Sequence, residues 1–167
     1  MRIVRDIRGM TLVEVLTVVA ILGVLLLVLG FSFQGWIAKY KVENEIKNFY
    51  ADLSDARARA LQKKRMTFVD LTTRQYRTFE DTNTAPDGNG VYEQAADTRV
   101  ASMTTSYDIV PTLNPAGTSF AFDREGLATA TGMIRLDSTL SPDYDCITIQ
   151  ATRLRIGRYD GGTCREK

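Results

Sequence analysis

The chain has 167 residues, enough for one modest domain beside a membrane segment, and 21 Lys and Arg against 20 Asp and Glu leave a net charge of +1. That balance excludes a strong global attraction to nucleic acid or acidic lipid. The absence of histidine removes Ser-His-Asp and Cys-His catalysis and the commonest zinc ligand, so the chain reads as non-enzymatic and without a cofactor.

The first nine residues, "MRIVRDIRG", carry Arg2, Arg5 and Arg8 against Asp6. Such a positive flank stays in the cytoplasm and directs the soluble portion outward. An apolar run follows, and from Val15 to Ala38 it holds no ionisable charge; the next charge is Lys39. As a helix that run spans roughly 36 Å, enough for a bilayer core. Glu14 stands alone just inside it, where an ionised carboxylate is costly and needs a partner that its own segment does not offer. No small-residue cleavage site follows the run, which ends "GFSFQGWIAKYKVENE". Cleavage after Gly9 would instead remove a basic leader, keep the helix, and create an α-amino group on Met10, close to Glu14.

The helix continues through "KVENEIKNFYADLSDARARALQKK", which has no Gly or Pro. Val42, Ile46, Phe49, Leu53, Ala56, Ala60 and Leu61 fall at helical spacing and predict one buried stripe. Glu43 and Lys47 form an i,i+4 pair in the favourable order. Lys63, Lys64 and Arg65 suit a helix C-terminus; a solvated helix end explains them better than nucleic-acid binding.

Short β-prone runs then take over. "MTFVDL" and "QYRTFE" around "TTR" predict a hairpin, "DTNTAPDGNG" a loop, and "VYEQAADTR" is ambiguous. "TSYDIV", "SFAFD", "ATGMIRLD", "CITIQA" and "TRLRIGR" predict further strands. The order predicts an α+β fold: a long N-terminal helix, membrane half plus amphipathic half, packed on a C-terminal antiparallel β-sheet domain. Cys146 and Cys164 are too far apart for a C-x-x-C site, and a disulfide in an oxidising compartment is the better reading.

Three clusters invite chemistry. Asp81, Asn83, Asp87 and Asn89 loosely resemble a calcium loop, but their spacing departs from D-x-[DN]-x-[DN]-G and a metal-free Asx-Gly turn explains them better. Asp143 and Asp145 read as a polar turn before a strand rather than a catalytic pair. The tail "RLRIGRYDGGTCREK" carries Arg153, Arg155, Arg158, Arg165 and Lys167 beside Tyr159. Arg153 and Arg155 should share one strand face, with the other three in a loop closed by Cys164. Such a loop could hold a DNA backbone, although Asp160 and Glu166 dilute it and a strand with an outward Arg ladder is the favoured reading.

"RG-MTLVEVL" resembles the processing site of type IV pilin-like proteins, the class of pilins and the pseudopilins of type II secretion. The resemblance implies cleavage by a prepilin peptidase after Gly9, N-methylation of Met10, and an assembly role for Glu14, the mature fifth residue. The usual first mature residue is Phe; here it is Met. In a filament Glu14 would meet the N-terminal ammonium of a neighbouring subunit and set axial register. No Pro interrupts "LVLGFSFQG", which suits a pseudopilin or minor subunit. "DLSDARARALQKKRMTFVDL", "FDREGLATA" and "RLRIGRYDGGTC" together resemble the H-type minor pseudopilins and T-type fimbrial minor pilins (GspH/FimT), some of which bind DNA through C-terminal basic residues.

The implied organisation is a leader at 1–9, a transmembrane and filament-core helix at 10–38, its amphipathic extension at 39–65, and a periplasmic β-rich domain at 66–167. The expected protein is a single-pass inner-membrane subunit with a cytoplasmic N-terminus, passing from the bilayer into a pilus or pseudopilus. Its expected partners are other pilin or pseudopilin subunits and the peptidase. A DNA-binding pilin of an uptake system is the alternative.

Overall fold

The computed structural model describes residues 10–83 and 88–167, excepting the side chains of 27–34. Two compact units divide the chain, Met1–Ala38 and Lys39–Lys167. One helix, α1 (Leu12–Lys63), supplies elements of both.

In the first unit Thr11 caps α1. Its carbonyl accepts the N–H groups of Glu14 and Val15 at 3.1 and 3.2 Å, and its Oγ1 accepts the Glu14 N–H at 3.3 Å. Leu12, Val13, Val15, Leu16, Val18, Val19, Ile21, Leu22, Val24, Leu25 and Leu26 are all exposed, so this part of α1 is apolar on every side. Among the described residues no helix is long and apolar enough to cross a membrane. The apolar sequence runs on through residues 27–34.

In the second unit Val42, Ile46, Phe49, Leu53, Ala56 and Ala60 form the expected stripe, none more than 1% exposed. Leu61 departs from it and is 40% exposed. It follows Ala60 directly, about 100° further round the helix, which puts it on the flank of the stripe. Glu43 and Lys47 pair at 3.7 Å. α1 stops where Lys64 turns left-handed, at φ 55°, and Lys63 Nζ reaches the buried Glu80 carboxylate at 2.6 Å.

The strands are β1 (Thr67–Leu71), β2 (Gln75–Glu80), β3 (Thr98–Thr104), β4 (Asp108–Asn114), β5 (Ser119–Phe122), β6 (Thr131–Asp137), β7 (Cys146–Gln150), β8 (Arg153–Asp160) and β9 (Thr163–Glu166). The fold is α+β, as the order of elements predicts, but the strands form two antiparallel sheets, β3-β2-β1-β5 and β4-β6-β7-β8-β9. Both sheets and the α1 stripe close one core, with Val69, Phe122, Ile134, Leu136, Ile147 and Ile149 at its centre. Phe49 stacks on Tyr76 at 4.0 Å, and the Tyr76 hydroxyl donates to Asp52 at 2.6 Å.

The "FDREGL" turn after β5 ties the layers together. Asp123 Oδ1 accepts the N–H groups of Glu125 and Leu127 at 3.0 and 2.7 Å. Gly126 sits at φ +72° against Leu61, where a Cβ would come within 2.6 Å of the leucine Cγ. The next two residues stitch the sheets: Thr129 N–H donates to the Ala121 carbonyl, and Ala128 N–H to that of Ala151.

Candidate functional site

The N-terminal determinants come first. Met10 and Thr11 are non-helical and exposed, and Gly9 lies outside the described residues. Glu14 occupies the third helical position, where a carboxylate faces the positive end of the helix dipole. It is exposed, and its main-chain carbonyl accepts the Thr17 hydroxyl at 2.9 Å. The Thr11 cap has a sequence signal of its own, T-x-x-E at the start of an apolar run.

At the other end of the chain Cys146 and Cys164 are joined by a disulfide. The bond links β7 to β9 across the intervening β8. Strands on either side of a third stand about 9.6 Å apart in a flat sheet, yet the two cysteine Cα atoms are 5.9 Å apart. The sheet folds over at Gly157, which pairs with Cys146 on one side and Glu166 on the other. Asp145, also buried, accepts the Tyr159 N–H at 2.6 Å. Burial pushes its carboxyl up from the usual range, against the lowering effects of that hydrogen bond, Arg158 and Arg135.

The basic tail does not form the expected loop. Gly161 and Gly162, at φ +56° and +105°, make a two-residue turn between Asp160 and Thr163. Arg158 therefore lies on β8 and Arg165 on β9, opposite one another. By strand alternation Arg153 and Arg155 share one face, as expected, while Arg158, Arg165 and Lys167 share the other. Most of these cations are engaged. Arg153 Nε donates to Gln150 at 2.6 Å, Arg155 pairs with Glu166, Arg165 with Asp160 at 3.1 Å, and Lys167 with Asp143 at 2.7 Å. The second face borders a groove of about 350 Å³ lined by Arg158, Tyr159, Asp160, Arg165 and Lys167.

The calcium-like residues serve the loop itself. Asp81 is fully buried and accepts the N–H groups of Asn89 and Gly90 at 3.1 and 2.6 Å. Asn83 and Asn89 both donate their side-chain amides to Glu93, and the Asn89 amide oxygen accepts the Val91 N–H. Asp87 lies outside the described residues. Among the described residues no three His, Cys, Asp or Glu side chains gather as metal ligands. Asp143 and Asp145 do not act as a pair either. Asp143 turns to Lys167, whose hydrogen bond and charge hold its carboxyl below the ordinary range, while Asp145 turns to the Tyr159 backbone.

The family model of the prokaryotic N-terminal methylation motif matches residues 4–30. This is the type IV pilin signature, and it covers Gly9, Met10 and Glu14. No curated protein and no solved structure matches the chain.

Proposed function

We propose, on the strength of the methylation motif at residues 4–30, that this protein is a non-enzymatic minor pilin or pseudopilin. It polymerises into a type II secretion pseudopilus or a type IV pilus, near the tip. Before assembly it is anchored in the inner membrane by the run that ends at Ala38, with a cytoplasmic N-terminus and a periplasmic domain. The disulfide suits an oxidising periplasm. A prepilin peptidase cuts between Gly9 and Met10 and the new amine is methylated. Glu14, which has no cationic side chain in its own run, pairs with that amine on a neighbouring subunit. The observation that carries this reading is the motif, with Gly9, Met10 and Glu14 in a single frame.

N-terminal mass spectrometry of the protein from its native membrane tests it. The expected result is a methylated Met10; an intact Met1, or a start beyond Ala38, overturns the reading. The DNA-receptor alternative has weaker support, because the five tail cations are divided between two faces of the sheet and do not form one patch.

A further inference from the structure

Four cations, Lys39, Lys47, Arg158 and Lys167, stand around two carboxylates, Asp143 and Glu43, the latter paired with Lys47 at 3.7 Å. Lys39 is the first residue after the apolar run and opens the second unit's part of α1, and two cations of the C-terminal segment, Arg158 and Lys167, lie near it. Asp143 is the link. Its N–H donates to Glu43 Oε1 at 2.9 Å and its carboxylate accepts Lys167 Nζ at 2.7 Å. Lys47 Nζ and Lys167 Nζ stand 4.9 and 5.5 Å from the centre of the adjoining Tyr144 ring. Lys39 and Arg158 both act on the Asp143 charge. All four cations are exposed. The buried acid Glu80 sits at the opposite end of this part of α1, bonded to Lys63, about 36 Å along the helix from Lys39.

We infer that the Lys39, Lys47, Arg158 and Lys167 cluster is a docking face for the phosphate headgroups of an anionic lipid surface. The inference rests on the reading that residues 10–38 enter a bilayer. In that case Lys39 is at the headgroups by chain connectivity alone, and within the second unit it shares the surroundings of Asp143 and Tyr144 with Lys47, Arg158 and Lys167. Basic residues next to a membrane segment gain most from anionic lipid within a Debye length. A nucleic-acid duplex would compete with the bilayer for this face, so lipid is the better occupant.

The test uses the full chain in vesicles of pure phosphatidylcholine or of phosphatidylcholine mixed with phosphatidylglycerol. Lysines are labelled with an amine-reactive reagent and read by mass spectrometry. Labelling of Lys47 and Lys167 should fall severalfold in the mixed vesicles and recover at high salt, while Lys64 stays constant. Arg158→Glu, at an exposed position that spares the core, should return Lys167 toward its labelling in pure phosphatidylcholine. Equal labelling in the two vesicles, or equal protection of Lys64, overturns the inference. So does the same protection in pure phosphatidylcholine on adding inorganic phosphate or duplex DNA, which would identify a free anion or nucleic acid as the ligand. A chain that floats with neither vesicle refutes membrane insertion and the inference with it. One that floats with both but shows no difference refutes the inference alone.

Discussion

Gly157 makes the room that Cys164 needs. A Cβ at this position would stand 3.1 Å from the Cys164 sulfur and 2.2 Å from the Arg165 carbonyl oxygen. The second neighbour is backbone and cannot swing aside. Gly157→Ala should therefore push β9 off β8, lower the yield of the Cys146–Cys164 bond, and cost about 1–3 kcal/mol even where the bond forms. Thiol titration of the exported protein and denaturant melts would measure the two effects.

The disulfide closes a loop of sequence separation 18. Constraint of an unfolded loop of this length is worth about 3 kcal/mol in the chain-entropy model. Replacing both cysteines by Ala should lower stability by about that amount in urea denaturation. Addition of a reductant to the wild type should reproduce most of the loss.

Asp145 carries a charge into a buried position, and burial raises its carboxyl above the ordinary value. A folded pKa above the unfolded one means that its contribution is full below the unfolded pKa and is lost as pH rises through the folded one. Its charge therefore costs stability at neutral pH. Asp145→Asn keeps an oxygen for the Tyr159 N–H and removes the charge. The variant should be more stable than wild type at pH 7, by up to about 1 kcal/mol, with the gap closing as pH falls toward about 4. Melting temperatures across that range would show it.

Tyr76 presents the same sign at the alkaline end. Burial, followed by its hydrogen bond to Asp52, pushes its phenol well above the ordinary value. The stability it contributes is present below about pH 10 and is lost as pH rises further. Tyr76→Phe should cost about 1–2 kcal/mol at neutral pH through the lost hydrogen bond. It should also flatten the alkaline fall in stability, read by melts on either side of that pH.

Glu14 is exposed, and its hydrogen bonds with the Thr11 and Thr17 hydroxyls run through its main chain, which a substitution of the side chain leaves in place. Glu14→Ala should leave folding and membrane insertion intact, with at most a few tenths of a kcal/mol lost from the helix terminus, and abolish entry into filaments. Fractionation of membranes and sheared filaments would separate the two, and wild-type incorporation would deny the carboxylate its register role.

Much of the fold could be read from side-chain period. The spacing from Val42 to Ala60 marks the buried face of α1, and "MTFVDL" with "QYRTFE" marks the β1–β2 hairpin. What periodicity does not carry is partner choice. Nothing local to "SFAFD" says that β5 returns to β1 while β4 pairs with β6, so the division into two sheets has no local signal. The strand β3 carries no alternation, because most of its residues are exposed. The β8–β9 hairpin does have a local signal, the two-glycine turn Asp160-Gly161-Gly162-Thr163, set among charged residues. The N-terminal determinants were the most readable part, because a lone carboxylate in an apolar run is conspicuous without any tertiary context.

The bond across β8 also changes what a protease can accomplish. Arg153, Arg155 and Arg158 all lie between the two cysteines, so a cut after any of them produces two pieces that remain one molecule. The C-terminal piece stays tethered through Cys164 to the buried Cys146, and its strand can return to its place in the sheet. Only reduction lets the pieces part. A nicked subunit keeps its full mass until a thiol reaches the bond, and the last strand can be severed from the chain without being lost from the protein.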